Sequence, residues 1–181
     1  MRWYALLLLV ATGLQAATAA AVPSKFACAM KKVTSPKMET FTVIGNNDPV
    51  RDPNASPTDL NLSRTPNSRT EQIMTFKPPE EAIGKQCHLE WSVASTKESG
   101  LRVEKDSHIQ ILEIEPDGKE QHVGGAEFGD WVGVDDGRSH YNGSVKCKDT
   151  VRLRLVMRFE GKVFLKQNER NGFYLRYQYC E

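Results

Sequence analysis

Beyond its first two dozen residues the chain has no run approaching the ~20 apolar residues that a membrane-spanning helix needs, so no membrane span is expected there. It has no surplus of charge either. With Arg2 set aside in the leader, basic and acidic side chains balance at 23 each. That balance excludes a general electrostatic grip on nucleic acid or an anionic bilayer, which needs a net basic surface. There is no C-x-x-C pair to hold zinc and no H-E-x-x-H or nucleophile-elbow pattern. The histidines at 88, 108, 122 and 140 are scattered. No metal, cofactor or catalytic set is therefore expected. Helical periodicity is missing too: the best candidate, residues 79–83, is barely one turn.

What is present begins with an export leader. A short basic start at Arg2 precedes an apolar run over residues 5–14, and Ala17-Thr18-Ala19 has the A-x-A form of a signal-peptidase site. Residues 1–21 are read as a secretory signal peptide, 22–38 as a polar leader with Pro23 and Pro36, and 39–181 as one domain. The expected product is extracellular and monomeric.

The domain is organised around residues 150–159. Val151, Leu153, Leu155, Met157 and Phe159 alternate with Arg152, Arg154, Val156 and Arg158. Only an extended strand sends those two sets to opposite faces. Similar alternation predicts strands over 39–44, 71–76, 87–93, 162–165 and 173–179, and a strand pair over 101–105 and 108–115. In the strand over 87–93, Trp91 falls on the apolar face and reads as core. Pro116-Asp-Gly118-Lys119 reads as a hairpin turn. Residues 45–70 hold turn formers in series and read as a long irregular excursion. Many short strands separated by such turns indicate an all-β, antiparallel two-sheet β-sandwich.

Four cysteines in an exported chain imply two disulfides and permit three connectivities. The favoured one joins Cys28 to Cys180, tying the domain ends together, and Cys87 to Cys147, joining a central strand to the start of the 150–159 strand. Three N-glycosylation sequons, at Asn54, Asn61 and Asn142, predict exposure of their segments.

Three surface features could bind. Trp131 lies between Gly129 and Gly133, either as a plane for a sugar ring or folded back as a cap on the core. Arg152, Arg154 and Arg158, with Arg176 on a neighbouring strand, could line a polar face that holds anionic glycans or phosphates through forked hydrogen bonds. Interleaved with acids, the same row is an ordinary solvated face. Asp130, Asp135 and Asp136 suggest a calcium loop, but the EF-hand spacing is absent and a plain acidic loop is the simpler reading.

Several segments together resemble the fungal secreted But-two (ubiquitin-three-binding protein) C-terminal domain family. They are Phe76 with Pro78-Pro79, Gly84-Lys85-Gln86-Cys87-His88-Leu89, Cys147 before a long strand, and Gly172-Phe173-Tyr174-Leu175-Arg176-Tyr177. The resemblance implies a cysteine-stapled β-sandwich of extracellular or cell-surface proteins without established catalysis. The leading expectation is a secreted, non-enzymatic binding protein, a fungal effector or cell-wall protein whose partner is an extracellular protein or glycan. The alternatives are a glycan-binding module built on Trp131, and a small secreted hydrolase using His122 or His140.

Overall fold

A computed structural model of the chain describes residues 28–94, 100–132 and 137–180. The signal segment, Asp135 and Asp136 lie outside the described residues. The described residues form thirteen strands: β1 (Cys28–Val33), β2 (Lys37–Ile44), β3 (Val50–Arg51), β4 (Leu60–Arg64), β5 (Ser68–Phe76), β6 (Gln86–Val93), β7 (Arg102–Lys105), β8 (Ile109–Ile114), β9 (Glu120–Ala126), β10 (Arg138–Lys146), β11 (Val151–Met157), β12 (Gly161–Leu165) and β13 (Gly172–Cys180). Among the described residues the helical content is two one-turn 3₁₀ segments, Glu80–Ala82 and Gly129–Trp131.

The strands form one hydrogen-bonded antiparallel network rather than two separate sheets, and it curls into a half-barrel. Its order is β1-β13-β6-β10-β9-β8-β11-β5-β4-β12-β7, with β2 and β3 branching from β5. The branch arises because nine-residue β5 outlasts its neighbours. Residues 72–76 pair with β11, Arg69 and Thr70 pair with β4, and β2 covers the whole opposite edge. Twist between neighbouring strands curls so wide a sheet until its apolar face closes on itself.

The predicted centre stands, slightly shortened. In β11, Val151, Leu153, Leu155 and Met157 are buried in the core, and β11 runs between β8 and β5. Phe159, expected on the same face, is instead 49% exposed. The strand stops at Met157, and the chain turns toward Gly161, where a Cβ would stand 2.1 Å from the Asp106 carbonyl oxygen. Trp91 is fully buried, with Cys87, Leu89 and Val93 on its side of β6.

Three expectations change. Residues 28–33, read as irregular leader, form edge strand β1, whose Cys28 lies opposite Cys180. The 45–70 excursion contains β4, where buried Leu60 and Leu62 join the core. Finally, 101–105 does not pair with 108–115: β7 pairs with β12, and β8 pairs with β9 and β11. The cause is a side-chain turn. Asp106 Oδ1 accepts the His108 backbone N–H at 2.8 Å and carries the chain from one strand's edge to another's.

Both disulfides have the favoured connectivity, Cys28–Cys180 and Cys87–Cys147. Among the described residues, no helix is long and apolar enough to cross a membrane.

Candidate functional site

A recess of about 570 Å³ opens on the outer face of the β8–β9 hairpin. His108, Gln110, His122, Gly125, Glu127 and Arg158 are among the residues that line it. The hairpin turn predicted at residues 116–119 is formed, with the Glu115 N–H donating to the Lys119 carbonyl and Gly118 at φ 82°. It brings together two histidines that are far apart in sequence.

The glycine pair makes the trough. A Cβ on Gly124 would lie 1.6 Å from the Asn142 carbonyl oxygen, and one on Gly125 would lie 2.8 Å from that of Ile109. Only a chain without side chains there lets β9 cross so close to β8 and β10, and it leaves the floor bare.

His108 Nδ1 lies 3.1 and 3.2 Å from the two carboxylate oxygens of Asp106, so an Nδ1–H donates to that carboxylate and Nε2 is left for a ligand. Its ring meets the edge of Phe159 at 6.2 Å. Glu127 accepts a hydrogen bond from the Ser107 hydroxyl and one from the Gly129 N–H at 2.6 Å. Partial burial works against its charge. The Ser107 hydroxyl and the Gly129 and Asp130 N–H groups outweigh it and hold the carboxyl below its ordinary range. Glu127 is thus a fixed anion and acceptor. Arg158 is exposed, with its guanidinium 5.2 Å from the Phe159 ring, and forms no ion pair among the described residues.

The predicted arginine row is broken up. Arg154 is held by Glu71 at 3.4 Å and Glu120 at 2.5 Å. Arg152 is exposed beside it, and Arg158 belongs to the recess. Arg176 is not on a neighbouring strand: β13 lies between β1 and β6, where Arg176 Nη2 meets Glu90 at 2.5 Å. The interleaving with acids holds for Arg154 and fails for Arg158.

Trp131 is half-buried. Its ring meets the edge of Trp91 at 6.2 Å and lies 4.0 Å from the ring of His140, which itself stacks on Trp91. It caps the core, the second of the two roles the sequence allowed. His140 is thereby placed among aromatic rings. Asn54 and Asn61 are exposed, as their sequons require. Asn142 is not: it is 8% exposed and its Nδ2 donates to the Gly125 carbonyl at 2.9 Å. A glycan must leave from that nitrogen, so the folded chain has no room for one at Asn142. Among the described residues, no three His, Cys, Asp or Glu side chains converge as a metal set.

Sequence reasoning missed His108 and Glu127. The signal was the hairpin turn, because counting outward from it places residues 108–110 near residues 125–127.

No family model matches the chain, and a search of the curated proteins returns no match. Among solved structures there is a likeness to the enzymatically active domain of bacteriophage CBA120 tailspike protein 4, at 11% identity and a TM-score of 0.30. It covers 87% of this chain and 20% of that one. A likeness of that size identifies neither family nor activity. What the structure defines is a class: an all-β, antiparallel, disulfide-stapled half-barrel with a polar recess on its outer face.

Proposed function

We propose that this is an exported, non-enzymatic binding protein whose recess at the β8–β9 hairpin holds an acidic sugar of an extracellular glycan. Two disulfides and the apolar leader support the compartment, since such bonds persist outside the cell. The resemblance to the But-two C-terminal domain family points the same way. The observation that carries the reading is Arg158, an exposed guanidinium without a carboxylate partner among the described residues, in the lining of a recess that also holds two imidazoles. A guanidinium fork matches a carboxylate or sulfate in two parallel bonds. The fixed Glu127, also in the lining, accepts hydrogen bonds from hydroxyls. The bare glycine floor lets a ring lie close to the backbone.

Calorimetric titration with oligogalacturonate and heparin-derived hexasaccharides tests this. Wild type should bind at least one of them, more weakly as salt rises. Arg158→Ala should lose about ten-fold in affinity, the size of one charge-assisted contact. Absence of binding to either, or equal binding by Arg158→Ala, overturns it.

A further inference from the structure

The outer face of β1, β13, β6 and β10 carries a second recess, about 410 Å³, remote in sequence from the first. Met30, Gln86, His88 and Gln178 line it. Beside His88 stands Tyr141, 62% exposed, the two ring centroids 5.7 Å apart.

The position of Tyr141 is built by the backbone. Between Tyr141 and Gly143 the β6–β10 register slips: Tyr141 lies opposite Glu90 and Gly143 opposite Leu89, with Asn142 as the extra residue. Asn142 tucks inward to Gly125, and Gly143 passes so close that a Cβ would lie 2.1 Å from the Val123 carbonyl oxygen. A bulge re-aims the side chains around it. Here it puts Tyr141 and Ser144, three apart, within hydrogen-bond reach on the outer face. Without the slip, strand alternation would send them to opposite sides.

The ring is also pinned. The Tyr141 hydroxyl lies 2.7 Å from Ser144 Oγ, which lies 3.1 Å from His88 Nδ1. A side chain already held in place loses little freedom on binding. Gln86 and Gln178 are exposed amides, each offering donors and an acceptor. Met30, 49% exposed, adds an apolar surface. The lysine of this recess is turned to the protein's own groups: Lys85 Nζ donates to the Gln178 carbonyl at 3.1 Å and lies 5.2 Å from the Tyr179 ring.

A rigid aromatic plane beside uncharged amides complements a pyranose, whose C–H face packs on the ring while its hydroxyls bond the amides. We infer that the outer face of β1-β13-β6-β10 binds a neutral hexopyranose chain, with Tyr141 as stacking platform and His88, Gln86 and Gln178 as hydroxyl partners. This site is independent of the acidic-sugar recess and of Arg158.

The test is binding of the full exported chain to neutral β-glucan, mannan and chitin hexasaccharides on an array, followed by titration of each hit. Wild type should bind at least one. Tyr141→Ala should weaken that binding about ten-fold or more, as loss of a central aromatic anchor does. Gln178→Ala should weaken it less, and Arg158→Ala should leave it unchanged. Chemical-shift changes on titration should centre on residues 86, 88, 141 and 178. No binding of any neutral hexasaccharide overturns the inference, as does equal binding by both Tyr141→Ala and Gln178→Ala. Loss of neutral-sugar binding in Arg158→Ala would instead assign it to the first recess and overturn it equally.

Discussion

The two halves of the curled sheet are held by different means. Both disulfides lie in the half made of β1, β13, β6 and β10, where Cys28–Cys180 joins two strands and Cys87–Cys147 joins β6 to the end of β10. The half made of β2, β4, β5, β7 and β12 has no such bond. It relies on buried Leu60, Leu62, Met74, Phe76, Val163 and Leu165, and on the Glu71–Arg154 pair across β5 and β11. The stapled half carries the Asn142 bulge, Gly143 in close passage against Val123, and buried Glu90 beneath Tyr174 and Arg176. One staple closes the unbroken β1–β13 ladder at the edge of the sheet, and the other closes the end of the bulged β6–β10 ladder. The re-aimed side chain of Tyr141 lies in that stapled half.

The strongest way to break this comparison is to remove the outer staple. On chain-entropy grounds a bond closing 152 residues contributes about 5 kcal/mol, so Cys28→Ala with Cys180→Ala should cost that order in urea unfolding. Leu62→Ala, in the unstapled half, should cost about 3 kcal/mol through the cavity it leaves. A larger loss from Leu62→Ala would invert the picture.

A smaller effect separates the two partners of a single ion pair. Glu90, 3% exposed, also accepts the Tyr174 hydroxyl at 2.8 Å and that of Ser139 at 3.2 Å, while Arg176 reaches solvent. Arg176→Ala strands a buried carboxylate and should cost about 2 kcal/mol, whereas Glu90→Gln leaves a guanidinium that water can solvate and should cost less. Equal losses on denaturant melts would mean that the buried carboxylate tolerates isolation.

The smallest expected effect is in pH. Burial first, and then the Glu90 carboxylate, raise the Tyr174 phenol above its ordinary 10.0, against an opposing hydrogen bond from Ser139. Burial and Glu81 raise Tyr177 likewise. A phenol held protonated in the fold contributes stability that is fully present below about pH 10 and is lost as pH rises through the raised value. Stability should therefore fall above about pH 10. Tyr174→Phe should flatten that fall in unfolding measured across the alkaline range. An unchanged slope would assign the alkaline sensitivity to groups other than Tyr174.

Much of the fold was legible from local pattern. The alternation of Val151, Leu153, Leu155 and Met157 identified the central strand, Trp91 announced itself as core, and the turn at residues 116–119 identified the β8–β9 hairpin. The failures share a cause. Leu60 and Leu62 are two apolar residues amid turn formers, too short a pattern to register, and become a strand because β12 and β5 flank them. The pairing of β7 depends on one side-chain turn at Asp106. His108 and His122 look unrelated until the hairpin closes, and Tyr141 looks like any alternating residue until the bulge turns it outward.

Two-residue rhythm and an even cysteine count were sufficient for the class of fold, its buried faces and the number of its disulfides, because the direction of a side chain along a strand is a local property of the backbone. Which strands become neighbours, whether they form one sheet or two, and which polar side chains share a recess were settled by contacts between distant segments. Those contacts follow from register and close approach, as at Gly124 against Asn142, and no window of adjacent residues contains them.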